Sequence, residues 1–323
     1  MQSCELGRYL VVGSINIDWT GGVCDASGAD SSVEIRELTV TPGGHAGNCA
    51  ASICKLGGNA RILGCVGADQ AGDTAMRHLA AAGVDVRYVE RTTDEATGFA
   101  FIPVKSDGAR ILYAAIGANR CLTARELNAA LEGVETVIVF DPPSHALDQI
   151  IGALSRFRGI FAPGRLLTRT PPNILRRALT AARYLIFNEI EAKQLSGAIC
   201  AERAAMQLAR EWGSTAIVTV GALGSWMARS SGEVVFTRKY QLKAVDTTGA
   251  ADAFVAGFSW GLTSGLTDES AMNMACAAGE LATRKFGAQA SLPTVSEVEK
   301  LVSKSRCHSA PPVGVCGSTG NQT

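Results

Sequence analysis

The chain has 323 residues, of which 47% are hydrophobic and 19% charged, a length that suits two small domains or one large α/β domain. Thirty basic and thirty acidic residues cancel, which excludes a broad electrostatic footprint for nucleic acid and leaves any anionic substrate to a local site. No apolar run reaches the ~20 residues of a membrane helix, and the first eight residues lack an apolar signal core, so a cytoplasmic protein without membrane contact is expected.

Residues 9–13, Tyr-Leu-Val-Val-Gly, have the pattern of a short buried parallel strand. Asn16 and Asp18 follow at its carboxyl end, where open α/β sheets place their ligands. An amide and a carboxylate there suit the paired hydroxyls of a sugar; turn chemistry is the alternative. Residues 32–40 alternate with period two and predict a half-exposed strand. Residues 97–104 predict a second, and 110–113 follow after an Asp107-Gly108 turn. Between these pieces Gly43-Gly44 permits close backbone approach, and residues 48–56 read as a helix of small residues. His45 is either a substrate contact or a polar loop residue. A strand over 60–64 and a helix over 73–82 come next.

Thr123 and Glu126 have the spacing of a capping box and predict a helix over 123–131. Apolar strands are predicted over 136–140, 183–187 and 216–220. Asp141 follows the first of them, Asn188 and Glu191 the second, and a turn from Gly221 to Gly224 the third. Residues 240–245 are β-tending and lead into Asp246-Thr-Thr-Gly-Ala-Ala-Asp252 and a helical series. Small residues at a helix start let an anion reach backbone N–H groups, where the dipole favours negative charge. A carboxylate beside that anion, as Asp252 would be, is suited to taking a proton from a nucleophile; simple capping is the alternative. A long Ala-rich helix over 268–283 and a loop over 285–291 follow. The tail 306–323 lacks periodicity and reads as disordered.

Ten cysteines are scattered, with no Cys-x-x-Cys pair and no clustering with the four histidines, which speaks against structural zinc and a disulfide framework. Cys49, Cys54, Cys65 and Cys276 sit among apolar or small residues as small hydrophobes would. Strands alternating with helices predict an α/β fold, a doubly wound, mostly parallel sheet flanked by helices. The Gly-rich signatures of P-loop kinases and Rossmann dehydrogenases are absent.

Asp246, Thr247, Thr248, Gly249, Ala250 and Asp252 resemble the second signature of the ribokinase-like (PfkB) carbohydrate kinases, with Ala251 where that family most often has glycine. Gly43-Gly44-His45-Ala46-Gly47-Asn48 resembles the other signature. Lesser landmarks fall in family order: Gly13 to Asp18, Gly64 to Asp69 with Gly72, Asn188 to Glu191, Thr219 to Gly224 and Gly287 to Ser291. The resemblance implies one kinase domain over residues 1–305, with a small β-sheet lid from about 19–42 and 96–118.

It also implies an ATP-dependent kinase acting on a hydroxymethyl group of a sugar or sugar-containing small molecule. Asp252 would be the base, with the N–H groups of Gly249, Ala250 and Ala251 receiving the developing charge. Asn16, Asp18, Gly43, Gly44, His45, Asn48 and Asp141 would hold the acceptor. Asn188, Thr219, Gly221, Gly224 and Thr248 would lie against the nucleotide. Mg²⁺ would be held through water by Asn188 and Glu191, and K⁺ near Asp246, Thr248, Gly287 and Ser291. Ala251 adds a methyl and removes any option of positive φ. A nucleoside kinase and an inactive ligand-binding homologue are the rival readings. A homodimer is the expected assembly.

Overall fold

The computed structural model describes residues 8–23, 32–105, 111–164 and 166–304. The Asp107-Gly108 turn, the tail 306–323 and four of the cysteines (Cys4, Cys24, Cys307, Cys316) lie outside the described residues. The strands in chain order are β1 (Arg8–Val12), β2 (Asn16–Gly22), β3 (Arg36–Gly43), β4 (Asn59–Leu63), β5 (Cys65–Gly67), β6 (Glu90–Thr92) and β7 (Gly98–Val104). Then come β8 (Tyr113–Ala115), β9 (Thr136–Val139), β10 (Arg158–Phe161), β11 (Tyr184–Asn188), β12 (Thr215–Val220), β13 (Gly224–Ala228) and β14 (Val234–Arg238).

Eight strands form one sheet in the order β14-β13-β12-β11-β10-β9-β1-β4. From β12 to β4 every pairing is parallel, and β13 and β14 add an antiparallel edge. Alternate residues of β1 explain why its sequence is apolar throughout. Tyr9 and Val11 enter a core shared with the helices His45–Lys55, Ala250–Thr263 and Asp268–Leu281. Leu10 and Val12 enter a second core with the helices Ser144–Arg156, Pro172–Ala181 and Ala201–Trp212. Both faces are covered, the condition under which a parallel strand loses its polar positions. Among the described residues no helix is long and apolar enough to cross a membrane, and the six described cysteines are free.

A second sheet orders its strands β3-β2-β7-β8. Asn16 and Asp18 lie on β2 and not in a turn, so the small sheet begins directly after β1. Residues 32–40 depart further from expectation. The strand starts at Arg36, and Arg36 to Val40 are exposed on both faces, so the alternation does not mark a buried side there.

Two predicted elements are overturned. The helix over 123–131 shrinks to Leu127–Ala130, and Glu126 precedes it without a side-chain cap bond. Thr123 instead spends its N–H (2.8 Å) and hydroxyl (2.9 Å) on the buried Glu90 carboxylate, and Ala124 turns to a φ of 56°. Residues 240–245 belong to no ladder. The Tyr240 and Leu242 N–H groups donate to the buried carboxylate of Glu280, and that of Val245 donates to the Thr283 carbonyl. A β-tending composition yields here to one buried carboxylate that needs donors. The antiparallel β13–β14 hairpin extends the sheet beyond the predicted strands.

Candidate active site

The chain reverses at Gly249, whose φ of 76° is left-handed, and enters the helix Ala250–Thr263. A Cβ at Gly249 would lie 2.9 Å from that of Ala288, so the position is closed to side chains on two counts. Ala251 occupies ordinary helical backbone, so the departure from glycine costs no strain. The Ala250 N–H reaches back to the Thr247 carbonyl at 3.3 Å. First-turn N–H groups otherwise have no intrahelical acceptor, and the dipole makes that end favourable for an anion.

Asp252 is the third residue of this helix and is buried. It does not cap its own helix; its partners come from the helix His45–Lys55. Oδ1 lies 2.8 Å from His45 Nδ1, and Oδ2 accepts from Asn48 Nδ2 at 2.9 Å. His45 and Asn48 are three apart and share a helical face. Gly43-Gly44 brings that face in. A Cβ at Gly44 would fall 2.5 Å from the Ser14 carbonyl, and one at Gly43 would overlap the Asp18 carboxylate. The His45 N–H donates to Ser14 Oγ at 3.1 Å, and its ring stacks on Phe140 with centroids 5.9 Å apart.

Asp18 faces the same centre from β2 and is buried. Burial first, then the Asp252 charge, pushes its pKa up to about 6, with His45 opposing. Asp252 conversely raises His45 far above the usual imidazole range, so His45 carries a proton at neutral pH. Asn16 Oδ1 accepts from Asn119 Nδ2 at 2.8 Å, and Asp141 Oδ1 accepts from the Ser14 N–H at 2.9 Å. Asn16, Asp18, Gly43, Gly44, His45, Asn48 and Asp252 are thus joined through contacts around the carboxyl ends of β1 and β9, with Asp141 at the rim.

Asn188 and Glu191 lie at the carboxyl end of β11 and close a reciprocal capping box on the helix Glu189–Ser196. Asn188 Nδ2 donates to Glu191 Oε1 at 2.6 Å, and Glu191 N–H to Asn188 Oδ1 at 2.9 Å. Thr219 is the register partner of Asn188 on β12, with Gly221 in the turn behind it and Gly224 opening β13. Among the described residues no three His, Cys, Asp or Glu side chains cluster closely enough to hold a metal ion alone. The oxygens of Asn188 and Glu191 fit the water shell of Mg²⁺, which keeps most of its hydration and leans on phosphates.

Asp246 ties two loops together. Its Oδ1 accepts from the Thr248 N–H (2.9 Å) and hydroxyl (2.7 Å), and its Oδ2 from the Gly287 N–H (3.0 Å). Ser291 Oγ donates to the carbonyls of Gly287 and Ala282. One carboxylate with several carbonyls is a donor set that a large monovalent cation accepts.

Sequence reasoning missed Asn119, Ser14, Phe140 and Gln289. Asn119 fixes Asn16 and also accepts the Ile15 N–H at 2.9 Å. Gln289 Nε2 donates to Asn48 Oδ1 at 3.2 Å, behind the bond to Asp252. Asn119 has no local pattern, and Ser14, Phe140 and Gln289 lie in marked segments that do not single them out, since each matters through a partner distant in sequence.

Residues 7–295 match the pattern described as pfkB family carbohydrate kinase. The ribokinase of Bacillus subtilis (strain 168) is 30% identical over 92% of this chain and 99% of its own. The structure of Arabidopsis thaliana ribokinase complexed with ribose and ATP has a TM-score of 0.82 and 25% identity over 92% of this chain and 99% of that one. Burkholderia thailandensis nucleoside kinase in complex with inosine gives a TM-score of 0.78 at 25% identity, over 92% and 97%. With the two glycine-rich signatures meeting at one buried carboxylate, and a family match spanning nearly the whole chain, the protein belongs to the pfkB family of carbohydrate kinases.

Proposed function

We propose that the protein transfers the terminal phosphoryl group of ATP to a hydroxymethyl group of a sugar or sugar-containing small molecule. The observation that carries this reading is the buried Asp252 carboxylate, set in the first turn of a helix and held by His45 and Asn48. As the acceptor oxygen bonds to phosphorus, its proton passes to Asp252 and the bond to the ADP oxygen breaks. The N–H groups of Gly249 and Ala251, with that of Ala250 once it leaves Thr247, receive the charge on the moving phosphoryl group. Asn16, Asp18, Gly43, Gly44, Asn48 and Asp141 hold the acceptor. Thr219, Gly221, Gly224 and Thr248 flank the nucleotide. Asn188 and Glu191 would hold Mg²⁺ through water, and its charge would offset that of the phosphates. Asp246, Thr248, Gly287 and Ser291 would hold K⁺, whose charge would order the loop that Asp246 bridges.

The four-stranded sheet acts as the lid over the acceptor. Its Asp18 face is turned to the site, while Trp19, Leu38, Val40, Phe99 and Tyr113 remain exposed. Trp19 pairs across with Val40, and Phe101 with Tyr113, so the apolar residues share one face. An apolar face of this kind fits a second copy of the chain, and the assembly is a homodimer.

An ATP-consumption screen over pentoses, hexoses and nucleosides tests the reading. Turnover with a pentose or hexose supports it. Turnover confined to nucleosides supports the second reading, which the likeness to an inosine-bound nucleoside kinase favours. No acceptor-dependent consumption would favour an inactive homologue.

A further inference from the structure

We propose that His45 is a positioning residue for the base: its ring, fixed against Phe140, holds the Asp252 carboxylate aimed at the acceptor. The proposal rests on the reading of Asp252 as base and adds what that base requires.

One carboxylate touches the ring, and three act on it at longer range. Asp252 contacts it at 2.8 Å from the helix Ala250–Thr263. Asp18 on β2, Asp141 after β9 and Glu191 in the helix Glu189–Ser196 act on it through their charge. Asp18 shows what happens to an acid in this pocket, since burial and the Asp252 charge together favour its protonated form. Among the described residues no lysine or arginine forms an ion pair with Asp18, Asp141 or Asp252. His45 is the one cationic side chain in contact with Asp252 among the described residues.

The placement is otherwise unfavourable. His45 is the first residue of its helix, and a cation there opposes the positive end of the dipole. Its side chain is 56% exposed, so it does not serve as a packed core residue. Yet the ring is fixed on every side that matters: Phe140 stacks on its face, Ser14 holds its backbone N–H, and Asp252 takes its Nδ1. With Asn48 on Oδ2 and Gln289 behind Asn48, the carboxylate is clamped from both edges. Its remaining lone pairs are left for the acceptor hydroxyl.

The test compares His45→Gln, which keeps a donor but no charge, with His45→Lys, which restores a charge. His45→Gln should lose about tenfold to a hundredfold in kcat, the scale of a hydrogen bond to a charged group, with both KM values nearly unchanged. His45→Lys should recover part of that loss. A rise in acceptor KM with kcat intact would make His45 a substrate ligand and overturn the proposal. Histidine NMR titration of the whole protein is a check independent of turnover. The His45 ring should stay protonated far past the ordinary imidazole range in wild type and titrate within it in Asp252→Asn. The same titration in both proteins would overturn the pairing. If Asp252→Asn abolishes turnover while His45→Gln does not, this proposal fails and the base reading stands. If Asp252→Asn keeps turnover, the base reading itself fails.

Discussion

Glu191 and Asp252 occupy the same place in two helices, the third residue of a helix that starts at the carboxyl end of the large sheet. Glu191 answers its own N-cap: Asn188 and Glu191 bond each other and leave the site self-contained. Asp252 gives nothing to Gly249 and is held by His45 and Asn48, 207 and 204 residues away. A carboxylate satisfied locally serves the helix first. One whose partners are gathered from across the chain, and which is buried, is a candidate for chemistry and not for capping.

Substitutions at the two positions should separate these roles. Asp252→Asn keeps size and one oxygen, and turnover should fall by about 10²–10⁴, the range of a lost general base. Acceptor and nucleotide binding by calorimetry should change little. Turnover near wild type would mean that Asp252 is structural after all. Asp18→Ala should raise acceptor KM about tenfold to a hundredfold, as expected for lost bonds to a charged group, and leave the KM for ATP in place. A larger shift in the ATP value would place Asp18 elsewhere.

Asp18 should also cost stability. Its folded pKa of about 6 lies above the ordinary carboxylate value, so the folded state binds the extra proton and stability falls as pH rises from about 4 to 6. Asp18→Asn should therefore stabilise the ligand-free protein by about 2–3 kcal/mol above pH 6, with the gain vanishing near pH 4. Denaturant titrations at both pH values measure it, and an equal effect at both would remove the electrostatic cause. Glu191→Ala should act mainly through the cap, lowering stability by about 1 kcal/mol with a modest rise in the KM for ATP with Mg²⁺. A loss of turnover as large as that of Asp252→Asn would erase the contrast. The smallest effect is expected from exchanging K⁺ for a bulky organic cation at matched ionic strength. Activity should drop severalfold, and equal rates would remove the cation from the account.

The sheet was legible because β1, β9, β11 and β12 are buried on both faces and so read as apolar runs ending in polar or glycine residues. Asp252, Asn48 and Asp18 were legible because glycines around them mark close approaches. The capping box at Thr123 failed because Glu90, distant in sequence, competes for the same donors. The strand reading of 240–245 failed for a like reason, with Glu280 collecting the N–H groups. Asn119 and Gln289 were invisible because amides that bridge two distant loops have no period and no neighbouring signal. His45 was visible as a candidate, yet only the folded chain shows that its partner is the carboxylate and that it opens a helix.

Phosphoryl transfer to a hydroxymethyl group is tested most directly by proton-coupled phosphorus NMR of the product formed from ATP and the acceptor found in the screen. The account predicts a new ester resonance split into a triplet by the two methylene protons, growing in step with ADP and absent with Asp252→Asn. A doublet would place the phosphate on a secondary hydroxyl, and inorganic phosphate alone would make the reaction hydrolysis; either result would contradict the account.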